Sequence, residues 1–272
     1  MTTLAAWSGV DPRGPASLYL VSDSRITWGS QSKRWDAGRK LFGCRNTPDV
    51  FGYVGDVVFP SLLLGQIAAA ADDGVLFGAE ANAQSRHAIV VETAKISLAS
   101  RYNAPDYGFT ILHGARDGVG MNARFRLWEL TYNAATATSA ALWTDEELPI
   151  DEKQSALHTA LGSGGHAVIK QNDALKYDAQ GRTSRSIFWA FCDSLKNKTD
   201  PLSGGAPQLV GLYRTATAKS YGIAYEGHRY YQGLLVPDSA HLSGIEWRDV
   251  TFQRVDGATM QVLPGAQRHG RR

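Results

Sequence analysis

Thr2 stands directly after the first methionine in Met1-Thr2-Thr3-Leu4-Ala5. Removal of that one methionine would leave a threonine whose hydroxyl can attack a carbonyl while its own free α-amine takes the proton. The amine suits this task because its unperturbed pKa, roughly 7.7 to 8.0, lies near working pH without any burial. A Met-Thr start is also what an ordinary chain entering its first strand shows, so other residues have to decide between the two.

Other chemistries find less in the chain. The histidines are scattered, with no pair at a helical ligand spacing, and no metal site is expected. Asp117-Gly118-Val119-Gly120 lacks the lysine and the helix opening of a phosphate loop, so it reads as a hairpin turn. Cys44 and Cys192 form no metal or redox motif and no disulfide framework. A reducing cytoplasm is therefore the expected compartment, with both thiols small apolar or semi-exposed residues.

A chain of 272 residues can bury a large core, as one large domain or one domain with an appendage. Its net charge of +2 is too small to imply a nucleic-acid partner, and the basic tail Arg268-His269-Gly270-Arg271-Arg272 reads as a solvated end. The apolar stretch from Val57 to Leu64 is interrupted by Pro60 and is too short to span a bilayer. No basic region followed by an apolar core opens the chain, so neither a secretory signal nor a membrane partner is expected.

The elements that must position Thr2 begin with two short strands, 4–9 and 17–22, joined by a loop at 10–16, and a third strand at 49–54. Apolar residues then recur at helical spacing over 57–71 and 82–101. Strands are expected again at 109–114, 125–132 and 137–143, helices at 165–177 and 184–196, and a strand at 208–213. This order suits stacked antiparallel sheets covered by helix pairs better than an alternating parallel arrangement. Aromatic-rich segments at 226–231 and 245–247 read as added strands or an ordered extension.

Within that order lie Thr2-Thr3, the run Asp23-Ser24-Arg25-Ile26-Thr27-Trp28-Gly29, then Arg39-Lys40-Leu41-Phe42, and Gly52-Tyr53-Val54-Gly55-Asp56. Leu161-Gly162-Ser163-Gly164-Gly165 and Asp200-Pro201-Leu202-Ser203-Gly204-Gly205 follow far downstream. In this order and spacing the chain resembles a proteasome β subunit or its bacterial relatives, over most of residues 2–213.

The resemblance implies an α+β fold, a four-layer αββα sandwich of two antiparallel sheets, in which Thr2 is the nucleophile. It further implies that Lys40 sits beside the Thr2 hydroxyl and favours its deprotonated form, and that Asp23 pairs with Lys40 and keeps it charged. Ser163, Asp200 and Ser203 would orient the α-amine and its water, and the Gly52 N–H would donate to the oxyanion, where a side chain could block the substrate. Lys33 and Arg39 are rival cations, but only Lys40 directly precedes the apolar pair Leu41-Phe42.

By the same resemblance Ile26, Thr27, Phe42, Val50, Val54 and Val58 fall near a substrate side-chain pocket, which would favour an apolar side chain. Alternating apolar residues in a sandwich are equally read as core. Residues 2–214 would form the hydrolase domain, with 215–272 an extension packed on it or on a neighbouring subunit. The loop at 10–16 is longer than the family's usual first hairpin, and the short lead before Thr2 favours the simpler bacterial style over self-cleaving precursors.

The implied function is a cytoplasmic threonine peptidase in a homo-oligomeric ring, acting on a peptide or protein through an acyl-enzyme. An ATPase unfoldase is conceivable as partner, and no cofactor is expected. A small-molecule amidase or acylase on the same fold, and a catalytically silent ring or scaffold subunit, are the competing readings.

Overall fold

A computed structural model describes residues 2–29, 33–103, 105, 107–178 and 180–265. The chain enters through β1 (Leu4–Asp11) and β2 (Gly14–Ser22), followed by a small ribbon of β3 (Ile26–Thr27) and β4 (Arg34–Trp35). Next come β5 (Leu41–Gly43), β6 (Asp49–Gly55), and helices α1 (Val58–Asp72) and α2 (Ala83–Ala99). Strands β7 (Phe109–Asp117), β8 (Arg124–Asn133), β9 (Leu142–Leu148) and β10 (Ala156–Leu161) precede helices α3 (Gly165–Leu175) and α4 (Ser184–Lys196). The chain then continues through β11 (Gln208–Tyr213), β12 (Lys219–Ser220), β13 (Gly222–Tyr225), β14 (His228–Tyr231), β15 (Leu234–Leu235), β16 (Trp247–Asp249) and β17 (Arg254–Val255).

The result is an α+β fold with antiparallel sheets. One sheet has the order β10-β1-β2-β11-β12 and another the order β5-β6-β7-β8-β9. Period-two alternation explains how both are held. Leu4, Ala6, Leu18, Leu20, Val210 and Leu212 of the first sheet share one apolar cluster with Leu41, Val50, Leu112 and Leu127 of the second. The alternate residues Ala5, Trp7, Tyr19 and Val21 pack instead with Val168 of α3 and Ile187, Phe188 and Phe191 of α4. On the second sheet Phe51, Tyr53, Ile111 and Leu130 pack with Leu63 and Leu64 of α1 and Val90 and Ala94 of α2.

Local signals set the helix ends. Asp56 accepts a hydrogen bond from Phe59 N at 3.1 Å at the start of α1, and the Asn82 side chain accepts from Ser85 N at α2. Thr183 and Ser186 form a reciprocal capping box at α4.

Several expectations shift. The first hairpin is tight, because β1 and β2 extend to Asp11 and Gly14 and leave only Pro12 and Arg13 between them. The strand expected at 137–143 lies at Leu142–Leu148. It is an edge strand whose acidic residues are exposed, so it lacks the apolar alternation that marks a half-buried one. Strand β10 was not expected at all, since each of its residues is half-buried and none marks a face. The aromatic segments beyond residue 215 contribute to a separate sheet, β15-β14-β13-β16-β17, in which β13 and β16 run parallel. Its Ile223 and Tyr225 join the cluster under α4. No helix among the described residues is long and apolar enough to cross a membrane.

Candidate active site

Strand ends bring the site together. Leu4 of β1 lies opposite Ser22, the last residue of β2, and opposite Leu161, the last of β10. Ser22 also pairs with Gln208, the first residue of β11. The residues just beyond these positions are therefore neighbours: Thr2 and Thr3, Asp23, Gly162 and Ser163, and the turn at 200–207. Leu41 of β5, opposite Gly52 of β6, brings Lys40 in from the other sheet.

Lys40 Nζ donates to Thr2 Oγ1 at 2.8 Å and to Asp23 Oδ1 at 2.6 Å. Thr2 is 1 % exposed, and Lys40 and Asp23 are fully buried. Asp23 Oδ1 also accepts from Thr3 N at 3.0 Å, while Oδ2 accepts from Arg25 N at 3.1 Å and Gly204 N at 2.9 Å. Both oxygens accept only, which suits a carboxylate with no proton to place. Burial pushes the Lys40 ammonium below the ordinary lysine range, and the adjacent Asp23 charge opposes that shift. The arrangement aims a positive charge at the Thr2 hydroxyl oxygen, where it would stabilise an alkoxide.

One residue along, Thr3 Oγ1 lies 2.6 Å from Ser203 Oγ. Ser203 Oγ and Ser163 Oγ donate to the same Asp200 oxygen at 2.7 and 2.6 Å. Ser163, Asp200 and Ser203 thus form one hydrogen-bonded group around the amino-terminal end of β1. Behind it, between Thr3, Asp200, Ser203, Ala167 and Leu195, lies a void of about 10 Å³, near the minimum for one water. Gly162, at φ +82°, runs flat against the chain start, and a Cβ there would fall 1.8 Å from the Thr2 carbonyl oxygen. Ser163 and Gly162 are exposed, so this side of the site opens to solvent.

Gly52 has a packing reason that the sequence did not show. A Cβ at this position would fall 2.8 Å from Leu4 Cδ1 and from Leu41 Cδ2, in the apolar layer between the sheets. The expected clearance for a substrate is therefore not the first constraint on this glycine.

The six pocket residues are divided rather than gathered. Phe42 packs toward α1, with the Arg39 guanidinium 4.2 Å from its ring centre, and Val50 and Val54 lie in the cluster between the sheets. Val58 opens α1 and is 60 % exposed, and Ile26 and Thr27 are half-buried on β3. Of the rival cations, Arg39 donates to the Leu41 carbonyl at 3.0 Å and Lys33 is exposed.

Sequence reasoning missed Thr3, Arg25 and Gln208 as parts of the site. Arg25 donates to both Asp36 oxygens and to the Pro201 and Ser203 carbonyls, pinning the 200–204 turn. The Asp36 hydrogen bond raises the Arg25 pKa. Thr3 and Arg25 did lie inside the quoted motifs, which was their available signal. Met1, whose removal the sequence reading requires, lies outside the described residues.

No protein-family model matches the chain, and no curated protein matches it. Among solved structures it is similar to Thiobacillus denitrificans BPH in complex with epoxomicin, at 15% identity and a TM-score of 0.49, over 79% of this chain and 100% of that one. A second structure, of Thiobacillus denitrificans BPH, gives the same identity and TM-score, over 79% of this chain and 99% of its own.

Proposed function

We propose that the chain is an amino-terminal nucleophile hydrolase of four-layer αββα architecture, which cleaves peptide bonds with Thr2 after loss of Met1. The observation that carries this reading is the buried Lys40 ammonium, held between Thr2 Oγ1 at 2.8 Å and Asp23 Oδ1 at 2.6 Å. A buried cation is costly unless it is paired, and here its pairing directs it at a nucleophilic oxygen.

In the proposed reaction the Thr2 oxygen forms a bond to the substrate carbonyl carbon and its proton passes to the free α-amine. Lys40 stabilises the developing alkoxide, and the Gly52 N–H supports the negative oxygen of the tetrahedral intermediate. Collapse breaks the C–N bond, with the proton delivered from the ammonium to the leaving amine. An ester on Thr2 remains. Water, deprotonated by the same amine, attacks the ester and restores the hydroxyl. Ser163, Asp200 and Ser203 would orient the amine and that water.

A homo-oligomeric ring, peptide or protein substrates and a cytoplasmic location belong to the same proposal. The cysteines Cys44 and Cys192 are buried and free, as a reducing compartment allows.

Intact mass and labelling with a peptide vinyl sulfone test the reading, since the threonine hydroxyl adds across the vinyl group with no leaving group. The expected result is protein lacking Met1 that takes one label on Thr2, and no label on Thr2→Ala. Retention of Met1 on protein that cleaves peptides, or cleavage surviving in Thr2→Ala, overturns it.

A further inference from the structure

Asp23 and Lys40 share no strand: Asp23 follows the end of β2, and Lys40 precedes β5 in the other sheet. Their segments are joined directly where Gly38 N donates to the Ser24 carbonyl at 2.9 Å, and are bridged a second time by the side chain of Gln208, which is buried. Its Oε1 accepts from Lys40 N at 3.1 Å. Its Nε2 donates to the Gly38 carbonyl at 2.7 Å and to Ser24 Oγ at 2.9 Å, with the Asp23 carbonyl at 3.3 Å. Ser24 Oγ in turn donates to the Ala206 carbonyl at 2.5 Å. One amide thus ties segment 38–40 to segment 23–24, using both of its hydrogens and its acceptor.

The other side of this amide is closed by a turn from the carboxy-terminal strands. Gly233, between β14 and β15, has φ +87°. A Cβ there would lie 2.7 Å from Ser24 Oγ and 3.2 Å from Gln208 Nε2. The backbone of the turn is therefore seated directly on the Ser24–Gln208 pair, and only glycine permits both the approach and the dihedral. Gln232 anchors the turn by donating from Nε2 to Ser220 Oγ of β12 at 3.1 Å.

We propose that Gln208 and the Gln232–Gly233 turn are positioning elements for Lys40, so that the carboxy-terminal strands are a working part of the Thr2 site. This rests on the reading of Thr2 as the nucleophile. The amide helps set the Lys40–Asp23 separation, and the turn keeps the amide from sliding out between the two segments. A role limited to general stability would leave the chemistry of the folded protein unchanged. A positioning role would not, because Lys40 moved off Asp23 keeps its desolvation and loses the charge that opposes it.

The experiment is the pH dependence of vinyl sulfone labelling at Thr2, with melting temperatures alongside, for wild type, Gly233→Ala, Gln208→Leu, Ser24→Ala and the double variant Ser24→Ala/Gly233→Ala. Folded Gly233→Ala and Gln208→Leu are expected to label about tenfold more slowly or worse, the scale of a small misplacement at a reacting centre. Their alkaline limb should move to lower pH by about one unit, as expected for a partner charge displaced from an ammonium. Because the added methyl strikes Ser24 Oγ, the double variant should lose less than the product of its single effects.

If Gly233→Ala does not fold, Gln232→Ala removes only the anchor at a half-buried position and carries the same measurement. Wild-type rate and an unmoved alkaline limb in the folded variants overturn the proposal, and so does a slower rate with no movement of the limb. A wild type that takes no label on Thr2 sinks the Thr2 reading itself, and this one with it.

Discussion

Two buried networks in this molecule are built from the same parts and come to different ends. At one, the carboxylate of Asp23 pairs with Lys40, whose ammonium also reaches the Thr2 hydroxyl. At the other, Asp49 takes Arg86 Nε at 2.9 and 3.1 Å and His113 Nε2 at 3.0 Å, and Arg86 Nη1 and Nη2 donate to the Ala81 and Arg116 carbonyls. The Asp49 network fastens α2 to the sheet, and its arginine ends on backbone oxygens. The Asp23 network ends in a hydroxyl beside a solvent-exposed turn. A buried ion pair by itself says little about stability or function; what distinguishes these two is the atom at which the cation is aimed.

Removal of one partner from each should separate the roles and give the largest effects. Lys40→Met leaves the Asp23 charge buried without its counter-charge, held only by backbone N–H groups, at a cost of about 3–5 kcal/mol. In whatever protein folds, Thr2 labelling should fall by about 10²-fold or more, the scale of a lost acid–base or charge contribution. Asp49→Asn should cost a similar ~3–5 kcal/mol in denaturant unfolding and leave the labelling rate of folded protein at the wild-type level. Loss of labelling in folded Asp49→Asn would erase the distinction between the two networks.

The second network also carries a proton count. His87 Nδ1 lies 2.9 Å from His113 Nδ1, His87 Nε2 lies 2.9 Å from Asp145 Oδ1, and His113 Nε2 contacts Asp49. Those three contacts need three hydrogens, and two neutral imidazoles supply two. The geometry therefore fits one neutral ring beside one imidazolium. Burial, followed by the neighbouring His113, pushes His87 down from 6.5 to about 4.

A further proton on His87 would set two N–H groups against each other. With the folded pKa below the unfolded one, the unfolded chain binds more protons between these values, so stability rises with pH across the window. The melting temperature should accordingly drop as pH is lowered from about 6.5 to about 4. His87→Phe, which can keep the stack on Trp128 seen at 4.3 Å, should flatten that slope. An unchanged slope would assign the acid sensitivity elsewhere.

The two networks were unequally legible in the sequence, for physical reasons. Thr2, Asp23 and Lys40 lie close to strand ends in the first part of the chain, Gly52 lies in the middle of β6, and Ser163, Asp200 and Ser203 lie in turns. Glycine, serine and aspartate mark turns by their own chemistry, and strand ends are where such turns converge. Nothing comparable marks His87 and His113. One sits on α2 and the other on β7, so no helical or strand spacing relates them. Gln208 was illegible for a different reason: a glutamine opening a strand has no signature until the four groups around its amide are seen together. The pocket residues are ambiguous for the opposite reason. Val50 and Val54 alternate as any strand packed between two sheets does, and alternation reports a buried face without saying whether the neighbour is substrate or core.

The smallest effects should come from the solvent-facing end of each network, and they give the finest test of the comparison. Asp145, with its side chain 39 % exposed, is the outer end of the histidine pair. Asp145→Ala should cost about 1 kcal/mol or less, as exposed ion pairs do, and leave Thr2 labelling unchanged. Ser163 is the exposed end of the other group, and Ser163→Ala removes one donor to Asp200 while Ser203 continues to hold the same oxygen at 2.7 Å. Its stability cost should therefore be equally slight. If the Ser163 hydroxyl orients the amine of Thr2, however, its loss should slow labelling about fivefold, the rate equivalent of one hydrogen bond of about 1 kcal/mol. Equal labelling rates for Ser163→Ala and Asp145→Ala would make Ser163 part of the turn and leave the catalytic burden on Lys40 and Asp23.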